Sequence, residues 1–207
     1  MNEGNQSSWQ TLVIATSNLG KIAEFNTFFS SLSLRIVKQP QGLEINETGK
    51  TFAQNARLKA LAVAKLTGQL SLADDSGLSI HALGGAPGIY SARYANTDQE
   101  RINRVLKELV PFRNREAAFC SALCLVSPQG DVLVEVEGIC EGVIVDEPRG
   151  NNGFGYDPIF EVKSIGLTFA EMDKEQKSSL GHRGKAVKKL LPKMSELLQA
   201  YSMGKYN

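Results

Sequence analysis

The chain has 207 residues, 42% of them hydrophobic and 22% charged, which is enough apolar material for one sizeable core or two small ones and excludes disorder throughout. Lys and Arg number 23 against 22 Asp and Glu, a formal net charge of +1, so no global field draws the chain to a polyanion or a membrane surface. Any phosphate site must be local.

The first ten residues, MNEGNQSSWQ, are polar and lack the basic-then-apolar order of a secretory signal, so they predict a disordered tail over 1–10 before a single domain over 11–207. The apolar runs Ala60 to Ala64 and Ala122 to Val126 fall far short of the ~20 residues that cross a bilayer. TLVIAT (Thr11 to Thr16) reads as a buried strand, SNLGK as a turn, and the spacing of Ile22, Phe25, Phe28, Phe29 and Leu32 as a helix. LRIVK (Leu34 to Lys38) is a second strand. Thr51 and Gln54 have the form of a capping box, which predicts a helix up to Thr67, before Gly68. Phe52, Ala56, Val63 and Leu66 share its apolar face, yet Lys59 projects into the middle of that face and Asn55 lies on its edge. Either these two bond to backbone or reach back to solvent, or the face looks partly into a polar cleft.

LSLADDSG (Leu70 to Gly77) reads as a strand ending on Asp74 and Asp75, with Ser76 and Gly77 turning the chain before LSIHAL resumes. GGAPG (Gly84 to Gly88) is a loop. Thr97 with Glu100 opens a helix through Leu109. Ala117 to Val126 and Val132 to Val136 flank SPQGD as a hairpin, and the first of these strands, apolar on both faces, is predicted to be central. GVIV, the glycine-rich loop PRGNNGFGYDP and the strand PIFEV follow. From Thr168 the chain is helix-like, with Pro192 predicted to break it before an amphipathic segment, Met194 to Tyr201. Strands alternating with helices and then pairing as a hairpin predict an α/β domain with a mixed sheet. Cys120, Cys124 and Cys140 lie in apolar strand-like sequence without CxxC spacing, which fits reduced thiols and a cytoplasmic location.

Three groups could carry chemistry. In TSNLGK, a strand turning into a helix leaves backbone amides at the positive end of the helix dipole, and Lys21 adds a full charge, which favours an anion. Thr16, Ser17 and Asn18 could equally do no more than cap the helix. The P-loop pattern is absent, since Ile22 follows GK where Ser or Thr belongs, and GNNGFG is not GxGxxG. Asp74 and Asp75 with Glu47 are hard oxygen donors that suit Mg²⁺, although Asp before Ser-Gly is also common turn chemistry. His81 and His182 have no partners at zinc spacing. FGYD (Phe154 to Asp157) and HRG (His182 to Gly184) sit between glycines; an aromatic on such a loop can stack on a base while Asp, His and Arg read its edge, or Phe154 and Tyr156 can cover the core.

TSNLGK at 16–21, ETGKTFAQNARLKA at 47–60, ADDSGL at 73–78, GGAPGIYSARY at 84–94, NGFGYDP at 152–158 and KSSLGHRGKA at 177–186 closely resemble, in order, the inosine/xanthosine triphosphate pyrophosphatase family. The resemblance implies an α/β fold of two lobes with a central cleft on a long twisted mixed sheet, a homodimer, and Mg²⁺-dependent hydrolysis of ITP, dITP and XTP to the monophosphate and pyrophosphate, which cleanses the nucleotide pool. It further implies that Thr16, Ser17, Asn18, Leu19, Gly20 and Lys21 hold the triphosphate, that Asp75 is the proton acceptor and, with Glu47, a metal ligand. Asn55, Lys59, Ser76, Phe154, Gly155, Tyr156, Asp157, Lys177, His182 and Arg183 match substrate-binding positions. Gly181 stands where the family has Ser, and Gln54 where it often has Glu. A nucleotide-binding module without hydrolysis, and a pyrophosphatase for pyrimidine or modified nucleotides, are the rival readings.

Overall fold

The computed structural model describes residues 9–203. Most of the tail expected over 1–10 lies outside that range. Its end does not behave as a tail: Trp9 is buried and stacks on Tyr201, ring centroids 4.8 Å apart, and the Gln10 carbonyl accepts from Arg35 N. One buried indole outweighs its polar neighbours.

Short parallel strands separated by helices open the chain: β1 (Thr11–Ile14), α1 (Leu19–Phe28), β2 (Arg35–Lys38), α2 (Phe52–Thr67) and β3 (Leu70–Ile80). β1 pairs in parallel with both β2 and β3. After α3 (Asp98–Leu109) come β4 (Glu116–Val126) and β5 (Val132–Ile144), neighbours joined by a turn in which Ser127 N donates to Asp131 O at 2.8 Å. β6 (Phe160–Val162) pairs antiparallel with β5 and β7 (Leu167–Thr168) antiparallel with β6, and α4 (Lys174–Leu180) and α5 (His182–Ser202) close the chain. The result is the α/β class read from the sequence: helices flanking one mixed sheet of order β2-β1-β3-β4-β5-β6-β7, with β4 at its centre. Among the described residues no helix is long and apolar enough to cross a membrane.

Two compact units divide the chain. One takes in the chain up to Asp75, Ala122–Val136 and Val187 onward; the other comprises Ser76–Ser121 and Glu137–Ala186. In the first, α2 lays Ala56, Ala60, Val63 and Ala64 against Val13, Ala15 and Ala73, small side chains that let helix and sheet approach closely. Thr51 Oγ1 caps this helix by accepting from Gln54 N at 3.2 Å, and Gly68 ends it at φ +61°. Leu66, expected on the buried face, is 59% exposed, because Ala60 and Ala64 form that face instead. In the second unit, Phe119, Phe160 and Phe169 pack at centroid distances of 4.8 to 5.5 Å beneath α3, whose capping box at Thr97 and Glu100 is formed as expected.

Four expectations are corrected. β3 does not end on Asp74 and Asp75; it runs straight through Ser76 and Gly77 beside β4, so membership of the sheet outweighs local turn preference. GVIV is the end of β5 and not a separate strand. Helix does not begin at Thr168, which belongs to β7. Pro192 does not break the last helix: α5 continues through it, losing one backbone bond, with Leu190 and Met194 fully buried on either side.

Gly138 in β5 is required by close approach alone, because a Cβ there would lie 2.1 Å from His182 O and 2.4 Å from Ala186 N. Gly138→Ala is expected to cost about 1–3 kcal/mol through overpacking, which in a protein of this size lowers the melting temperature by several degrees; a thermal scan within one degree of the native protein would contradict this packing.

Candidate active site

In the first unit the chain leaves β1 through Ala15 and reaches α1 by a turn that side chains build. Asn18 Oδ1 accepts from Lys21 N at 3.1 Å, and Thr16 Oγ1 accepts from Asn18 N at 3.2 Å. Asn18 therefore caps the helix, one of the two roles left open for it. The capping leaves the Leu19 and Gly20 amides without an acceptor inside the helix, at its positive end and with no acidic residue in the first turn. Lys21, still in that turn, places Nζ 3.0 Å from Asp74 Oδ2 and 3.3 Å from Asp74 O. The amide-lined turn and the acid pair are thus tied by one ion pair.

Lys59 does not reach back to solvent. Its Nζ donates to Asp75 Oδ1 at 2.7 Å, Glu47 Oε1 at 2.9 Å and Asp74 O at 3.0 Å. Burial pulls its pKa down, but attraction to Asp75 and Glu47 outweighs that and holds it above the ordinary lysine value. Asp75 is only 7% exposed, and burial raises its pKa; Lys59 and Lys21 oppose the rise, and Glu47 adds to it. Lys59 shares its charge between two carboxylates, so Asp75 is compensated only in part. Its second oxygen, Oδ2, is buried without a hydrogen-bond partner among the described residues, as is Asn55 Nδ2.

No cluster of three or more His, Cys, Asp and Glu side chains forms among the described residues. The donor chemistry nevertheless fits a hard divalent cation: an unpartnered Asp75 Oδ2 and the carboxylate of Glu47, which share one ammonium. Gln54, at the position where the family often has Glu, accepts from Lys50 N at 2.7 Å and closes the loop before α2. Asn55 Oδ1 closes the same loop by accepting from Gly49 N at 2.8 Å.

In the second unit the glycine-rich loop ends on Phe154, Gly155, Tyr156 and Asp157. Asp157 is buried, and its Oδ2 accepts from Phe154 N at 2.8 Å and from Lys177 Nζ at 2.7 Å. Lys177 also sits 4.8 Å from the Phe154 ring centroid. Gly153 must be glycine, since φ is +78° and a Cβ would lie 1.9 Å from Asp157 Oδ2. Tyr156 is part of the core, its hydroxyl donating to Ser91 O at 2.9 Å.

HRG lies in a helix and not in a loop. Gly181 ends α4 by donating to Lys177 O and starts α5 by accepting from Lys185 N, so His182 to Gly184 form the first turn of α5. The His182 ring is stacked on Phe119 at 4.7 Å, with Phe169 at 5.9 Å. Arg183, 2% exposed, donates to Ser76 Oγ at 2.9 Å. A Cβ on Gly181 would come 2.5 Å from Lys177 O, so the glycine found in place of Ser suits this tight junction.

The structure brings Lys21, Glu47, Lys59 and Asp75 together in the first unit, and it brings Phe154, Asp157 and Lys177, and separately Ser76 and Arg183, together in the second. Sequence reasoning offered Asp74 as a metal donor or turn-former and did not foresee its ion pair with Lys21, and it missed Ser91, Phe119 and Asp98, whose Oδ2 accepts from Gly155 N. None of these three carries a local signal.

The sequence profile of the Ham1 family matches residues 12–193. The chain is 58% identical over 189 residues to a Prochlorococcus marinus protein named dITP/XTP pyrophosphatase, covering 91% of this chain and 94% of that relative. A Nostoc protein of the same name is 51% identical over 189 residues, covering 91% and 96%. Among solved structures, a HAM1 protein from Coxiella burnetii superposes with a TM-score of 0.82 at 42% identity, covering 90% of this chain and 98% of the other. A nucleoside-triphosphatase / dITP/XTP pyrophosphatase from Mycobacterium abscessus does so at 0.69 and 40%, covering 88% and 99%. With its profile matched over most of its length and relatives this similar along nearly their whole chains, the protein belongs to the Ham1 family.

Proposed function

We propose that this chain is a nucleoside triphosphate pyrophosphatase that hydrolyses dITP, XTP and ITP to the monophosphate and pyrophosphate, with Mg²⁺ as cofactor. The names of its relatives support the substrate class. The observation that carries the reading is the Lys21 to Asp74 ion pair, which joins a helix N-terminus suited to a polyphosphate to a strand bearing a buried, partly uncompensated carboxylate. The turn from Thr16 to Lys21 binds the phosphates through its free amides, and Lys21 and Lys59 balance their charge.

The Asp75 carboxylate takes the proton of the attacking water as the water oxygen bonds to the α-phosphorus. The bond from that phosphorus to the α,β-bridging oxygen breaks, and pyrophosphate leaves with the electron pair. Asp75 and Glu47 are the residues that would hold Mg²⁺, which supplies Lewis-acid stabilisation of phosphate charge when bound. Phe154 stacks on the base. Arg183, oriented by Ser76, donates to the 6-oxo group of hypoxanthine or xanthine, whereas adenine presents an amino donor there and offers the guanidinium no acceptor.

Pyrophosphate release from dITP, XTP, ITP, dTTP and ATP, with and without Mg²⁺, tests this. The expected result is a kcat/KM for the oxopurine substrates at least ~100-fold above that for ATP, and no turnover once the metal is chelated. Equal rates on all five nucleotides, or undiminished rates in chelator, would overturn it.

Asp75→Asn separates chemistry from folding. Its kcat is expected to fall by about 10²–10⁴-fold. Because the folded-state pKa of Asp75 is raised, its stability contribution is present below the unfolded value and is lost as pH rises through the folded one, so at pH 7 the charged group weakens the fold. The variant is therefore expected to melt no lower than the native protein at pH 7. Full activity would remove Asp75 from the mechanism, and a melting point lower by several degrees would show that its ion pair is net stabilising.

A further inference from the structure

The segment GGAPGIYSARY and the start of α3 take no part in the reaction proposed above, yet their polar groups converge on the loop that carries Phe154. Gly155 N donates to Asp98 Oδ2 at 2.8 Å, across 57 positions of sequence. Asp98 Oδ1 pairs with Arg101, and Arg101 Nη1 donates to the Ala92 and Ala95 carbonyls at 2.8 and 3.2 Å. Asp98 is thereby fixed against the segment Gly88–Arg93, a short 3-10 stretch. In the same stretch Ser91 O accepts from Tyr156 Oη, while Ser91 Oγ accepts from Leu78 N at 2.9 Å and donates to Gly88 O at 2.6 Å.

The two amides flanking the Phe154 carbonyl and Cα are thus both held by carboxylates. Phe154 N is held by Asp157 from within the loop, and Gly155 N by Asp98 from α3. The loop needs this. Gly153 and Gly155 both sit at positive φ, +78° and +63°, and glycines give the backbone between them wide conformational freedom. A Cβ on Gly155 would meet nothing within 4 Å, so packing does not confine the residue and the hydrogen bond does. A charge-assisted bond to a backbone amide is among the stronger single ties available.

We propose that Asp98 is a positioning residue for the Phe154 loop: by holding the Gly155 amide it sets the plane on which the base stacks. This rests on the reading of Phe154 as the base-stacking group. Because the base lies away from the bonds that form and break, its contact with Phe154 is the same in the ground state and the transition state, and loosening it acts on binding and leaves the chemical step alone.

The test uses the full chain with dITP and XTP as substrates. Asp98→Ala is expected to raise KM by 5-fold to 20-fold with kcat within two-fold of native, and to accelerate exchange of the Gly155 amide hydrogen in the nucleotide-free protein. Asp98→Asn keeps an oxygen acceptor and is expected to restore most of the KM and the amide protection. A merely structural role at the start of α3 would lower the melting temperature while leaving KM where it was, and that outcome overturns the assignment. Equal KM increases in the Ala and Asn variants also overturn it, since they would trace the effect to charge and not to the amide. A native protein that turns over neither nucleotide sinks the proposed function and this inference with it. An active native protein with an unchanged KM in Asp98→Ala sinks the inference alone.

Discussion

One ammonium organises the first unit. An amine of this kind has three N–H donors, and Lys59 uses them on Glu47, Asp75 and the Asp74 carbonyl, three acceptors drawn from a loop and a strand. Without that cation, two carboxylates would face each other uncompensated in a largely buried setting, and its removal costs about 3–5 kcal/mol. The position of Lys59 depends in turn on its small neighbours. Ala56 and Ala60, fully buried, bring α2 close to Ala73, the residue before the acid pair. A larger residue at either site would push the helix outward and carry the ammonium out of reach.

The same contact explains why β3 remains a strand. Asp, Asp, Ser and Gly in succession are turn-formers by their local chemistry, because each offers the backbone an alternative hydrogen bond or a loose φ. Here the Asp74 side chain is engaged by Lys21 and the Asp75 side chain by Lys59, so neither is free to fold back on its own backbone. A turn in these four residues would also expose Leu72 and Leu78, which are fully buried on either side of them.

What could be read from the sequence was whatever leaves a local trace. Thr51 and Gly68 bound α2 as expected, and Thr97 with Glu100 opens α3, because caps act over three or four residues. Asn55 and Lys59 stood out as polar groups at helical spacing on an apolar face, so their inward direction was legible; their partners, 6 to 16 positions away, were not. Pro192 and HRG were misjudged because a proline or a glycine lowers helix propensity by only a few kcal/mol at most, and the buried face of α5 supplies more. Asp98 was silent for another reason: its partner is a backbone amide, which has no residue identity to betray it.

The two units use different physics. The group around Lys59 is dense in charge and screened from water, so its field is fixed by the fold. The Phe154 loop has one ammonium, Lys177, over its ring, and its glycines leave its backbone free to take many shapes. Its order comes from two carboxylates that spend their charge on backbone amides, Asp157 inside the loop and Asp98 outside it. Such bonds are short-ranged and directional, and they fix where a flat aromatic surface points, which is what an apolar face must contribute to recognise a ring. Phosphate recognition tolerates a mobile ligand as long as the charges are in place; base recognition tolerates weak forces as long as the plane is.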